Sequence, residues 1–133
     1  MTEREILEAR AIIEACRKLD LDESISSRQG QRFLRDLLDA LDSLAYKLLD
    51  NMVLIGEFGE VCALGSMLVH AGIDPHGISS GDFERIAKLL DTSVTLVEAV
   101  VTVNDERDSS QETGESRWRR VHDWATSKLQ TED

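Results

Sequence analysis

The sequence predicts an all-α fold in which residues 1–133 form a single domain. One proline in 133 residues leaves few forced helix breaks. Apolar residues recur at spacings of three and four over most of the chain, whereas runs that alternate apolar and polar residues are few. A chain of this length forms one domain. We therefore expect a helical bundle of five to six helices around a central apolar helix at residues 57–72.

The expected central helix, residues 57–72, is the least charged segment of the chain. Its apolar residues share one face at helical spacing: Val61, Leu64, Met67, Leu68 and Ala71. Gly59 suits the entry to this helix, and Gly72 suits a left-handed residue after its end. Gly65 lies in its middle, where glycine costs about 1 kcal/mol relative to alanine. This predicts that another backbone packs closely against Gly65.

Two amphipathic helices are expected before the central helix. The first covers residues 3–19 and carries an apolar stripe that should pack in the core: Ile6, Ala9, Ile12, Ile13, Cys16 and Leu19. An acidic, serine-rich loop at residues 20–27 should end in an N-cap at Ser26 or Ser27. The second helix should bury Phe33, Leu34, Leu37, Leu38, Leu41 and Leu44. Its water-facing side should carry Asp36, Asp39 and Asp42.

Residues 45–58 are dense in apolar side chains, and their spacing fits either a helix or an extended segment. We favour a break near residues 43–47 followed by another helical turn. The alternative is a short run in which two residues pair with a distant segment.

The second half of the chain should begin with a turn at residues 73–77, which contain the proline. A short helix over residues 83–90 should follow, capped by one of three polar residues: Ser79, Ser80 or Asp82. A further turn at residues 91–93 leads into residues 94–103. This last segment is rich in β-branched residues, but its spacing favours a helix buried on most sides over a strand.

The most polar stretch, residues 104–114, should be a surface loop. The last helix should begin near Thr113 or Gly114 and end near Leu129, with residues 130–133 as a frayed tail. It should direct Trp118, Val121 and Ala125 inward, with Trp124 alongside.

The net charge of −11 argues against direct binding to nucleic acid, because such a surface repels phosphate. The one concentration of arginines, Arg117, Arg119 and Arg120, should form a solvated face paired with neighbouring carboxylates. The N-terminus has no apolar segment typical of a signal peptide, and no run of 18 apolar residues is present. We therefore expect a cytosolic protein without a membrane span, in which Cys16 and Cys62 are reduced core residues.

The sequence shows only weak signs of the residue patterns typical of catalytic sites. The three histidines lack the i, i+4 spacing of a helical zinc site, and no glycine-rich phosphate loop is present. Acidic neighbours, Glu57 and Glu60, should raise the pKa of the Cys62 thiol and suppress its reactive thiolate. The carboxylates near residues 104–106 fit a solvated face better than a cation site. The sequence therefore predicts a protein that is not an enzyme and that uses no metal or cofactor.

Four short motifs occur in order along the chain. They are GEVCALG at residues 59–65, Gly-Ile at 72–73, NDE at 104–106 and ETGESRWRRVHDW at 112–124. In these motifs the chain resembles a family of small proteins encoded in phages and prophages, over roughly residues 29–124. The resemblance carries no activity and no site residues. What it implies is a phage or prophage origin.

Charge and origin together predict an acidic interaction protein that binds and occludes a basic surface of a host protein. One instance is an anti-CRISPR-like inhibitor of a nucleic-acid-binding defence complex. The candidate partner-binding residues form two patches: Asp36, Asp39, Asp42 and Asp50, and then Asp105, Glu106, Asp108, Glu112 and Glu115. The alternatives are a small metal-dependent hydrolase or nucleotide-modifying enzyme, and a phage structural or assembly component. A second copy of the same chain, forming a homodimer, is a further candidate partner.

Overall fold

A computed structural model describes residues 2–50, 54–105 and 112–130, and within these ranges it contains helices and no strand. Six α-helices are found there: α1 Glu3–Ser26, α2 Arg28–Ser43, α3 Ala63–His70, α4 Phe83–Leu89, α5 Val94–Asp105 and α6 Gly114–Lys128. The predicted all-α helical bundle is confirmed. Within the same ranges, no helix combines the length and the apolar character that a membrane crossing requires.

The core lies between α2, α3, α5 and α6. α2 packs against both α3 and α6, and α5 contacts α1, α3, α4 and α6. The largest fully buried apolar side chains come from α2 to α6: Phe33, Leu34, Leu37, Leu41, Leu64, Leu68, Ile86, Leu96, Val97, Val100 and Val121. α2 contributes seven buried residues along one face, and the shorter α3 has six of its eight residues buried.

The expected central helix at residues 57–72 is shorter than predicted, because α3 begins only at Ala63. Gly59 has a left-handed backbone with φ of 83°, which a continuous helix does not allow. Cys62 is the N-cap, and its sulfur accepts a hydrogen bond from the Gly65 N–H at 3.4 Å. The predicted close approach at Gly65 is confirmed, since a Cβ there would collide with the carbonyl oxygen of Leu54. Gly72 is left-handed after the helix, as expected.

The prediction for the first helix is wrong in two respects. α1 continues through the expected loop to Ser26, and every residue from 2 to 20 is exposed. Its apolar stripe, including Cys16, therefore does not lie in the core. Only its C-terminal end packs against α2 and α5, where Ile25 is buried, and this packing keeps the acidic, serine-rich segment helical despite its low propensity.

The junction between α1 and α2 is a single residue, Ser27. It ends α1, and its hydroxyl accepts a hydrogen bond from the Gly30 N–H at 2.9 Å as the N-cap of α2. The predicted serine cap is therefore confirmed, although the expected loop before it is helix.

The predicted break near residues 43–47 is present, because α2 ends at Ser43, but the described residues after it agree better with the alternative interpretation. No helical turn is present in residues 44–50 or 54–58. Instead, the Leu49 N–H donates to the Gly114 carbonyl at 3.0 Å, and the Asp50 N–H donates to the Val61 carbonyl at 2.8 Å. Two adjacent residues thus pair with two distant segments.

The remaining helices agree with the predictions. Asp82 caps α4, and Thr113 caps α6, which ends at Lys128. The β-branched segment is helix, as its spacing indicated, and α5 extends it to Asp105. Of the expected surface loop, residues 106–111 lie outside the described part of the chain, as do residues 131–133 of the expected tail.

Candidate functional site

Three aspartates form an exposed surface on α2, which we call the α2 acidic face: Asp36, Asp39 and Asp42. Their spacing of three residues places them within an arc of roughly 120° on the helix. The opposite side of α2 is in the core, so these carboxylates are held toward solvent. Asp42 also contacts α6, where its Oδ1 lies 3.0 Å from the His122 Nε2.

Charge is segregated along the exposed side of α2. Its N-terminal half carries Arg28, Arg32 and Arg35, and its C-terminal half carries the α2 acidic face. The first turn has no acidic residue and the last turn has no basic residue. This order opposes the helix dipole, which favours anions at the N-terminus and cations at the C-terminus by about 0.3–1 kcal/mol each. The dipole effect is confined to the last turn, so it disfavours Asp42 alone. Asp36 and Asp39 lie four residues after Arg32 and Arg35, a spacing at which opposite charges attract on a helix.

Lys47 offsets part of this unfavourable order. Its ammonium group donates hydrogen bonds to the carbonyl oxygens of Asp42 and Leu44 at the end of α2. The same ammonium lies 5.8 Å from the ring centre of Trp118. The C-terminal carbonyls of α2 are thus satisfied by a residue beyond the helix, and the aspartate side chains take no part in this cap.

A groove of about 310 Å³ borders the α2 acidic face between α2, α3 and α4. Its lining combines apolar and charged side chains: Arg32, Asp36, Met67, His70, Leu89, Leu90 and Asp91. Arg32 and Asp91 form an ion pair across it, and both remain largely exposed. Asp36 therefore borders a concave surface that also contains the Arg32–Asp91 ion pair.

Glu112 does not belong to an acidic surface, contrary to the expectation. Its side chain is only 3% exposed, and its carboxylate is paired with both Arg117 and Arg120. The hydrogen bond from Arg120 is the main cause that lowers the pKa of this carboxyl below its usual range. Glu112 is therefore a buried, neutralised carboxylate that is unavailable to a partner.

The arginines of α6 are also not one solvated face. Arg117 is buried and donates to the Leu49 carbonyl at 2.8 Å. Arg120 donates to the carbonyls of Val103 and Asn104, each at 2.8 Å. Only the pair of Arg119 with Glu115 matches the expected solvated ion pair, at 2.9 Å.

Asn104 completes this buried polar network. Its Oδ1 accepts a hydrogen bond from the Ala63 N–H at 3.0 Å, at the start of α3. Its Nδ2 donates to the Asp50 carbonyl at 3.0 Å and to the Asp105 carboxylate at 2.8 Å. The NDE, GEVCALG and ETGESRWRRVHDW motifs therefore meet here. In the part of the chain described, their polar residues hold the irregular segment before α3 against α5 and α6.

The structure agrees with the predicted partner-binding patches only in part. The α2 acidic face exists, but Asp50 and Asp105 lie at the buried network and are only partly exposed. Glu115 is exposed on α6, in its pair with Arg119. Glu106 and Asp108 lie outside the described residues. Sequence reasoning missed the role of Asn104, although this polar residue continues the apolar period of α5.

A small cavity of about 170 Å³ lies beside the network, with Cys62, Phe83, Val100 and Asn104 in its wall. Burial raises the pKa of the Cys62 thiol, and its sulfur already caps α3. The thiol is therefore a poor nucleophile, and Cys62 is the buried residue that the sequence predicted. Across residues 2–50, 54–105 and 112–130, no three histidine, cysteine or carboxylate side chains cluster as metal ligands would.

Comparison with known proteins finds no matching family model, no similar curated protein and no similar solved structure. The resemblance to phage and prophage proteins stays a prediction from the motifs.

Proposed function

We propose that this chain is a non-enzymatic interaction protein that docks the α2 acidic face onto a basic surface of a partner protein. One observation carries the proposal: three exposed aspartates are the only charged side chains in the C-terminal half of α2, and one of them, Asp42, lies in the last turn, where the helix dipole disfavours a negative charge. A group of exposed like charges on one helix face is a surface that an oppositely charged partner can recognise.

The rigidity of the face supports the same proposal. α2 packs against α3 and α6 along its length, so the carboxylates reach a partner without a folding step. Pre-organised charges lose little conformational entropy when they bind. The adjoining groove adds a concave surface for a lysine or arginine side chain.

A basic groove that normally holds nucleic acid is the partner surface with the best chemical fit, because carboxylates can occupy the positions of phosphates. Given the motif resemblance to phage and prophage proteins, the proposed partner is a nucleic-acid-binding defence complex in the cytoplasm of the host. The chain would then act by occlusion, as an anti-CRISPR-like inhibitor.

The test is a comparison of three forms of the chain in affinity capture from host lysate, with mass spectrometry of the bound proteins. The first is wild type, and the second combines Asp36→Asn, Asp39→Asn and Asp42→Asn. The control combines three exposed carboxylates elsewhere, Asp22→Asn, Glu84→Gln and Glu98→Gln. Both variants lose three negative charges from a chain whose net charge is −11, so their net charges are the same.

We expect wild type and the control to capture the same basic partner, and the α2 variant to lose it. Folding should change little, because exposed charges contribute about 0.2–1 kcal/mol. Association should also slow steeply with salt, since steering is screened over about 8–10 Å. Equal capture by all three forms, with no dependence on salt, would show that recognition uses other contacts, such as those around Trp118 and Trp124.

A further inference from the structure

The first eighteen residues of α1 form an exposed arm. Every residue from 3 to 20 is exposed, in a helix that continues into the body of the protein. Five large apolar side chains lie on this arm: Ile6, Leu7, Ile12, Ile13 and Leu19. Such a concentration of exposed apolar side chains marks an interaction surface. An isolated helix of this length is also only marginally stable in water, so the arm gains from a partner.

Four residues of the arm form a seam with the spacing of a coiled coil: Ile6, Ala9, Ile13 and Cys16. Ile12 and Leu19 widen the seam on one edge. At 100° per residue, the seam faces roughly 140° away from Ile25, the buried contact of α1 with the body. Leu21 also packs on the core, roughly 100° from the seam, and Arg17 and Asp20 border a cleft against α5. A second helix can therefore approach the seam over residues 6–16, before this cleft begins.

The charges beside the seam select the occupant. In heptad notation, Ile6 and Ile13 occupy a positions of the seam, and Ala9 and Cys16 occupy d positions. In a parallel pair of identical arms, Glu5 at a g position of one helix therefore lies next to Arg10 at the following e position of the other helix. Two-fold symmetry forms this ion pair twice. Ile12 likewise lies beside Arg17 of the second copy, whose aliphatic stem can cover it. An antiparallel pair would also form two ion pairs, between Glu3 and Arg17, but it would bring the two Arg10 guanidinium groups together, whereas the parallel pair has no such like-charge contact.

We propose that the arm pairs with the arm of a second copy of this chain as a parallel two-stranded coiled coil. The seam is only about 15 Å long, which places the interface at the small end of specific interfaces. The dimer is therefore expected to be weak and to depend on protein concentration. The α2 acidic face lies on the body and stays accessible in each copy.

Sedimentation equilibrium with two matched variants tests the pairing. Ile13→Lys puts a charge in the seam, whereas Leu7→Lys puts it on the other side of the same arm; the two positions are 50% and 60% exposed. With rising concentration, wild type and Leu7→Lys should approach twice the 14.9 kDa chain mass, while Ile13→Lys stays at that mass. Circular dichroism in dilute solution verifies that each variant is folded. A wild type that stays monomeric, or two variants that behave alike, would overturn the proposal.

Cys16 tests the parallel direction independently. In the parallel pair the two Cys16 thiols face each other at the same level of the seam, whereas in an antiparallel pair Cys16 faces Ile6. Diamide removes two electrons and two protons from the thiol pair and should give a disulfide-linked dimer in concentrated solution. Cys62 is buried and should not react. Cross-linking that is lost in Cys16→Ser and in Ile13→Lys supports the proposal, and its absence in an otherwise dimeric wild type would overturn the parallel arrangement.

Discussion

α1 and α2 are both rich in apolar residues, but α2 segregates them on one face much more sharply than α1 does, and the two helices reach opposite environments. Both carry apolar residues at helical spacing, yet α2 buries seven residues and α1 buries only Ile25. The difference lies in what the rest of the chain does. The chain returns to α2 twice, as α3 and as α6, whereas α1 contacts other helices only near its end. Periodicity thus indicates which face of a helix is apolar, but the partner of that face depends on the path of the chain.

The largest expected effect compares one leucine in each helix. Leu37 on α2 is fully buried, so Leu37→Ala should lower the free energy of unfolding by about 2–5 kcal/mol. Leu7→Ala on the exposed arm should change it by less than about 0.5 kcal/mol. Urea unfolding monitored by tryptophan fluorescence measures both. Comparable losses for the two variants would mean that the arm packs against the body.

A smaller effect contrasts two glutamates near the start of α6. Glu112→Gln removes the charge that neutralises Arg117 and Arg120 in the buried network, so it should cost about 3 kcal/mol. Glu115→Gln disrupts only an exposed pair and should cost about 0.5 kcal/mol or less. The same urea unfolding measurement gives the loss in the free energy of unfolding for each variant. A small loss for Glu112→Gln would show that its buried ion pairs contribute little.

The pH dependence of stability follows from the same carboxyl. Because the pKa of Glu112 is lowered in the folded state, its contribution is complete above the unfolded value of about 4.3 and is lost as the pH falls through the lower folded value. Wild type should therefore lose stability on acidification below about pH 4.3 more steeply than Glu112→Gln. Equal slopes in this window would contradict the ionised, paired state of Glu112.

Most of the secondary structure was predictable because it depends on local signals. The caps at Ser27, Asp82 and Thr113 and the helical spacing of the β-branched segment all act over a few residues. The close approach of Leu54 to Gly65 is a tertiary contact, and it was predictable because a glycine in the middle of a helix indicates one. The extent of α3 was overestimated because its apolar pattern continues into a left-handed glycine. The continuation of α1 to Ser26 was missed because tertiary packing there outweighs low propensity.

The candidate site was predictable in part. The exposure of the α2 acidic face followed from its position opposite an apolar stripe. Glu112 and Asn104 were assigned to a surface loop because polar sequence resembles solvent-exposed sequence. Their burial depends on pairing across 41 residues with Ala63 and on arginines of α6. The contact between Asn104 and Ala63 has no local period from which it can be inferred, whereas the pairing of Glu112 with nearby arginines was expected and only its burial was not.

Hydrogen exchange of the α1 amides, measured in dilute and in concentrated solution, tests the contrast between α1 and α2 most directly. In dilute solution we predict fast exchange over residues 3–20 and strong protection in α2, because only α2 is anchored in the core. Concentrating the protein should increase protection in residues 3–20 and leave α2 unchanged. Strong protection of residues 3–20 at every concentration would contradict the account, because it would place the arm against its own chain.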